Sequence, residues 1–341
     1  MSSASLGRVG AVGEPAEVIG TPPDRTCAVT VLVETYNHED FIGPCLEGIL
    51  DQQFSHDFRV VVHDDASTDA TPQIVRDIAA ANPDRVYATL QRENQRSRGN
   101  PQFIPSLVGL VTPYVAFCEG DDRWIDDRKL ERQWRFMQRN PWCAISHHEI
   151  EIDAVASASG YATELRRYLR THRPARERTS GLALVDGNWI MTCSVMMRTD
   201  AIERDVIRVM GSREPSDYIL FSLATQHGDI GYLPDVMSSY RLHGSNLWSS
   251  MTQDQRDAYE IETLWFLAAH MQGAARDRVR ERLLEHLAAT PDEATFGPFL
   301  RLRRRNGDLL RDRDVLLERV RYLEEREIEL VNALVSDAGA T

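Results

Sequence analysis

Three clusters of polar residues, each directly following an apolar run, hold the side chains best suited to chemistry. Glu34 to Asn37 follows the run at 28–33, His63 to Asp69 follows 58–62, and Glu119 to Asp122 follows 114–118. In an open α/β sheet, ligands collect at the carboxyl ends of the strands, so these positions would meet a ligand first. Adjacent carboxylates at the end of a buried strand repel each other unless a cation neutralises them, which marks Asp121 and Asp122 as candidate ligands for Mg²⁺ or Mn²⁺. Taken alone, such a pair is explained as well by a solvated loop or a helix cap. Two further polar clusters at strand ends tip the balance toward a metal. His147 and His148 lie inside an apolar run without an acid at ligand spacing and read as structural.

The elements that must position these clusters follow from periodicity. The runs at 28–33 and 58–62 are short and rich in β-branched residues, as buried strands are. Between them Ile42, Cys45, Leu46, Ile49 and Leu50 form the i, i+3, i+4, i+7, i+8 stripe of an amphipathic helix. A second helix is expected from Thr71, with Pro72 in its first position and Ile74, Val75 and Ile78 inward. Strands at 86–90 and 114–118 and a helix at 127–139, with Leu130 and Trp134 inward, continue the alternation. The pattern implies an α/β domain with a largely parallel sheet. Beyond residue 140, strands are expected at 144–152 and 190–198, separated by an arginine-rich mobile loop or short helices. A helix at 216–227, a strand at 230–240 and helix from about 253 complete the reading.

Composition excludes several classes. The 341 residues suffice for one large domain with an appendage, and the net charge of −13, from 52 acidic against 39 basic residues, disfavours nucleic acid as a partner. The five cysteines are scattered without C-x-x-C spacing, so neither a zinc site nor a disulfide framework is expected, and a reducing cytoplasm fits them. Residues 1–26 read as a disordered leader without the apolar core of a secretory signal. No apolar run approaches the ~20 residues that span a bilayer. Leu302, Leu309, Leu316, Leu323 and Leu330 recur every seven residues within a helical extension expected over 251–335. From about residue 299 this heptad is compatible with a coiled coil joining a homodimer. It is equally compatible with a long helix docked on its own domain, because half of the accompanying a positions are polar.

Taken together, the segment from Val29 to Phe41 with its Thr-Tyr-Asn centre, residues 61–69 (VVHDDASTD) and 119–124 (EGDDRW) resemble glycosyltransferase family 2, of the GT-A type. Residues 129–133 (KLERQ) and 240–246 (YRLHGSN) strengthen the likeness, which covers about 27–249. The resemblance implies a GT-A nucleotide-binding, Rossmann-like sheet over 27–250, with a nucleotide-sugar half to 140 and an acceptor half from 141. It further implies an inverting, metal-dependent transferase that uses a nucleotide-sugar donor, UDP-linked by a weak lean, in glycan assembly. Such a protein would sit in the cytoplasm or in peripheral contact with the inner face of the membrane. The acceptor, the sugar and the linkage are not implied.

Carried over by position, Asp65 matches the residue that bonds the nucleotide base, with Thr35 and Tyr36 beside it. Asp121 matches the residue near the ribose, Asp122 the metal ligand, and Asp217 the catalytic base. His243 matches a histidine near the diphosphate or its metal, with Arg241 nearby. A second register is open, in which Glu119-Gly120-Asp121 supplies the acidic pair and Asp121 becomes the principal metal ligand. Two departures from the family pattern bear on shape. Ala66 replaces a glycine, so the loop after the second strand is expected to be shaped differently, and Glu34 stands where many members carry proline or a small residue.

The chemistry is coherent on its own terms. A metal would act as Lewis acid toward a departing diphosphate, and a carboxylate such as Asp217 would take the proton of an attacking hydroxyl. The competing role for Asp217 is an N-cap for the helix that follows it. Two other readings are a sugar-phosphate nucleotidyltransferase and a non-catalytic scaffold. The first would carry a glycine-rich loop where Glu34 to His38 stand, and intact Asp65, Asp122 and Asp217 argue against the second.

Overall fold

The computed structural model describes residues 17–98, 104–210, 216–243 and 246–289. Ten strands form one sheet: β1 (Glu17–Ile19), β2 (Val29–Thr35), β3 (Phe58–Asp64), β4 (Val86–Leu90), β5 (Tyr114–Glu119), β6 (Arg123–Trp124), β7 (Cys143–Ala154), β8 (Arg178–Thr179), β9 (Met196–Arg198) and β10 (Asp229–Leu242). Their order is β1-β4-β3-β2-β5-β9-β7-β10-β6, with β8 also pairing with β10. The ladders make β2, β3, β4, β5, β7 and β10 run in one direction, so their carboxyl ends share one edge. The largely parallel sheet anticipated from the strand–helix alternation is therefore present.

Side chains of β2 alternate between two cores. Val29, Val31 and Val33 pack with helices α1 (Ile42–Leu50) and α2 (Thr71–Ala81), while Leu32 faces the other layer. Burying each of these valines contributes about 1.5–3 kcal/mol. After α3 (Ile104–Gly109), α4 (Lys129–Arg139) joins the first layer through Leu130, Phe136 and Met137. The second layer contains α6 (Leu182–Val185), α8 (Ser216–Ala224), α10 (Gln253–His270) and α11 (Gly273–Ala289). The short helices α7 (Arg204–Met210) and α9 (Leu247–Ser250) fill the connections. A capping box starts α10, with Gln255 N–H donating to Thr252 Oγ1 at 3.3 Å and Thr252 N–H donating to Gln255 Oε1 at 2.9 Å.

Three expectations change. Residues 17–19, expected within a disordered leader, form edge strand β1 against β4, helped by the Arg76–Glu17 ion pair at 2.7 Å. Val18 is 50 % exposed, so the strand has no buried period to betray it. The arginine-rich stretch forms a 14-residue helix, α5 (Ser159–His172), whose Ala162 and Leu165 pack on Leu242. Charged residues on its other faces hide that narrow stripe. Of the strand expected over 190–198, only β9 forms a strand of the sheet. Residues 192–194 turn as a 3₁₀ segment, because Ser194 bonds back to Met191 O through both its N–H, at 2.9 Å, and its hydroxyl, at 2.6 Å. The leucine heptad lies outside the described residues.

Candidate functional site

Two loops at the carboxyl edge are laced together before any ligand is considered. Asn37 adopts φ 55° after β2, its N–H donates to Ser67 Oγ at 2.8 Å, and its Oδ1 accepts from Thr68 N–H at 2.8 Å. His38 N–H donates to Thr71 Oγ1 at 2.8 Å, and Glu39 Oε2 accepts from Ala70 N–H at 2.8 Å. Ala66 has φ 62°. The glycine-like backbone thus survives without the glycine, at a cost of about 1–2 kcal/mol for a left-handed alanine.

Asp121 follows β5 and faces two histidines from distant elements. Its Oδ2 lies 3.0 Å from His243 Nε2 and 3.8 Å from His38 Nε2, and it accepts from Asn246 Nδ2 at 3.3 Å. Gly120 permits this approach, since a Cβ there would stand 2.6 Å from Thr35 Oγ1 and 2.9 Å from His38 Nδ1. Phe41 stacks on His243 at 4.6 Å between ring centroids, and the Arg241 guanidinium lies 5.3 Å from the Phe41 ring. His38, Asp121 and His243 place one ligand atom each within 4.8 Å of one another. Burial lowers the pKa of His38, against the pull of Asp121, and favours the neutral imidazole that metal binding requires.

Asp122 stands outside that group. It is 1 % exposed, its Oδ1 accepts the Arg241 N–H at 2.9 Å, and burial with the charges of Asp121 and Glu119 holds its pKa well above the usual range. The group that could hold a metal ion thus includes Asp121 and not Asp122. Behind it, Lys129 is fully buried, 4.0 Å from the Trp124 ring centroid, and donates to Gln133 Oε1 at 2.7 Å. Burial lowers its pKa to about 7.

Asp217 stands in the first turn of α8, but its carboxylate reaches across to other elements. Oδ2 accepts from Asn188 Nδ2 at 2.9 Å and from Thr192 Oγ1 at 3.4 Å, so the 3₁₀ turn at 192–194 supplies one of its partners. Burial raises its pKa against the bonds from Tyr218 N–H, Asn188 and Thr192. Burial, and after it the charges of Asp121 and Asp217, push the pKa of Glu119 up to about 8.

The remaining sequence candidates are placed as follows. Asp65 is fully buried at the end of β3, and its oxygens accept the N–H groups of Gln95 and Arg96 at 2.7 and 3.2 Å. Thr35 Oγ1 lies 3.2 Å from His38 Nδ1, and Tyr36 is 41 % exposed. His38, Asn188 and Thr192 were missed by sequence reasoning. Only His38, next to a polar cluster at a strand end, carried a signal.

Residues 30–198 match the family model for Glycosyl transferase family 2. Over this segment the chain is similar to family 2 glycosyltransferases. An uncharacterized protein of Mycobacterium tuberculosis is 30 % identical over 236 residues, which cover 68 % of this chain and 64 % of that protein. The chain therefore matches less than two thirds of the length of its mycobacterial relatives. TuaG of Bacillus subtilis, whose name assigns it to teichuronic acid biosynthesis as a glycosyltransferase, is 28 % identical over 75 % of this chain and 97 % of its own length. Among solved structures, Staphylococcus aureus TarS in complex with UDP-GlcNAc has TM-score 0.57 at 17 % identity, covering 80 % of this chain and 78 % of that one. A mannosyltransferase of Pyrobaculum calidifontis, in complex with GDP-Man and Mn²⁺, has TM-score 0.57 at 18 % identity over 91 % and 84 % of the two chains. The GT-A-type fold of the domain is established by this likeness together with the sheet order.

Proposed function

We propose that the protein is a metal-dependent, inverting glycosyltransferase that moves a sugar from a nucleoside diphosphate to an acceptor hydroxyl in cell-surface glycan assembly. The observation that carries this reading is the His38–Asp121–His243 group at the carboxyl edge together with an Asp217 carboxylate held by Asn188 and Thr192, both Asp121 and Asp217 acting on the charge of Glu119. Two imidazoles and a carboxylate suit Mn²⁺ better than Mg²⁺, which prefers an all-oxygen shell. His38, Asp121 and His243 would hold the ion, which supplies Lewis-acid stabilisation of the diphosphate's charge.

The chain's own residues do the rest. Asn188 and Thr192 fix the Asp217 carboxylate, and its raised pKa moves it toward the range of an effective base at neutral pH. As base, Asp217 accepts the acceptor hydroxyl's proton while the oxygen attacks the sugar from the face opposite the diphosphate. Single displacement of this kind inverts the anomeric centre. The name of TuaG supports an acceptor on a cell-surface polymer. All five cysteines are free and buried, which supports a cytoplasmic site of action, and no described helix is long and apolar enough to cross a membrane. The test is to screen UDP- and GDP-sugars with Mn²⁺ for nucleoside diphosphate release and to read the product's anomeric configuration by NMR. Inversion of the donor's configuration is expected. Retention would remove Asp217 from the base role.

A further inference from the structure

Four side chains stand in register across neighbouring strands at the carboxyl edge: Thr89 on β4, His63 on β3, Glu34 on β2 and Glu119 on β5. Two residues back on the same face, Tyr87, Val61, Leu32 and Phe117 belong to the apolar core or pack against it. The row therefore marks where this face turns from apolar to polar. His63 is 4 % exposed, with Nδ1 3.3 Å from Thr89 Oγ1 and Nε2 without a hydrogen-bond partner. The Oε2 atoms of Glu34 and Glu119 are also buried and unpartnered. Buried polar atoms are paired in the great majority of cases, so three orphans in one row at a ligand-collecting edge are the mark of a surface that a ligand completes.

Two of the residues that the family resemblance places at the base, Asp65 and Thr35, are engaged elsewhere. Both Asp65 oxygens hold the main chain at Gln95 and Arg96, and the Thr35 hydroxyl faces His38. We propose that Glu34 and His63 form the floor that reads the hydrogen-bonding edge of the donor's nucleobase, with Glu34 setting which base is accepted. This rests on the nucleotide-sugar reading above. A protonated Glu34 offers one O–H and one C=O, a two-point match to the edge of a base, and the neutral His63 ring adds a third donor or acceptor. Burial supports those protonation states, raising the pKa of Glu34 well above the usual range and lowering that of His63 to about 4.

The experiment is isothermal titration of UDP, GDP, CDP and ADP, and of pyrophosphate as a base-free probe, all with Mn²⁺, into wild type, Glu34→Leu and His63→Leu. Wild type should prefer one of the four nucleotides by at least about tenfold, and each variant should lose about tenfold in affinity for it. Pyrophosphate affinity should stay the same. Without ligand, Glu34→Leu should melt no lower than wild type, because the substitution removes an orphaned buried carboxyl; a carboxyl with a structural role would lower the melting temperature. Should Glu34→Leu not fold, Glu34→Gln carries the test, with a shift of about threefold or more in the selectivity ratio expected. Unchanged selectivity in the folded variants overturns the inference and leaves the glycosyltransferase reading standing. A wild type that binds none of the four nucleotides overturns both.

Discussion

Asp121 and His243, from the end of β5 and the end of β10, meet at 3.0 Å between Oδ2 and Nε2, and His38 approaches the same oxygen at 3.8 Å. A metal site so assembled should lose more than the ~10–100-fold typical of an outer partner when an inner ligand is removed. His38→Ala and Asp121→Asn should therefore each weaken Mn²⁺ binding by over about 100-fold in a titration followed by electron paramagnetic resonance. Binding by His38→Ala within a few-fold of wild type would take that histidine out of the ligand set.

Lys129 is the only lysine in the sequence, and every other basic residue among the 39 is arginine. A buried lysine can shed its proton, whereas arginine cannot. Lys129→Arg should cost several kcal/mol by burying a larger, permanent charge against Trp124, while Lys129→Met should cost less. Urea denaturation at neutral pH measures both. Equal costs would contradict the account.

Buried histidines set a pH dependence. Burial lowers the pKa values of His63 and His147 to about 4 and about 3, from 6.5. Between these values and 6.5 the unfolded chain binds more protons than the native one, so stability falls on acidification through that window. Each histidine contributes a slope of about 1.4 kcal/mol per pH unit. His147→Phe should remove about that much slope between pH 6 and 4, measured by denaturant titration at several pH values. An unchanged slope would show that His147 is protonated in the native state.

Much of this architecture is legible in the sequence because it is written in periods. The β-branched run of β2 and the α1 stripe from Ile42 to Leu50 each bury one repeating face. Asp121 stands out as a polar residue at the end of such a run, whereas His243 and Asp217 are reached only through the resemblance to family 2. What is not legible depends on tertiary meeting points. Thr192 acquires meaning only when a 3₁₀ turn brings it to Asp217, Asn188 only when the chain before that turn does the same, and α5 hides a two-residue buried stripe among its charged and polar residues. Asp121 could be separated from Asp122 only by geometry, since one carboxylate faces histidines and the other a backbone N–H.

Ala66 tests the loop geometry. Ala66→Gly removes the left-handed strain but adds about 0.5–1 kcal/mol of unfolded-state entropy, so the melting temperature should hold or rise slightly. Ala66→Val should lower it by several degrees, because a β-branched residue tolerates positive φ poorly. Calorimetry on the two variants gives the comparison. Equal melting temperatures would contradict the backbone conformation at φ 62°.

The central claim is that Asp217 is the base and the Asp121 group holds the metal, with the two functions separable. The most direct measurement is single-turnover transfer by Asp217→Asn, set beside donor affinity measured on the same preparation. The account predicts a loss of ~10²–10⁴-fold in rate with donor affinity nearly unchanged, whereas Asp121→Asn weakens metal and donor binding together. An Asp217→Asn protein with near wild-type turnover would contradict it.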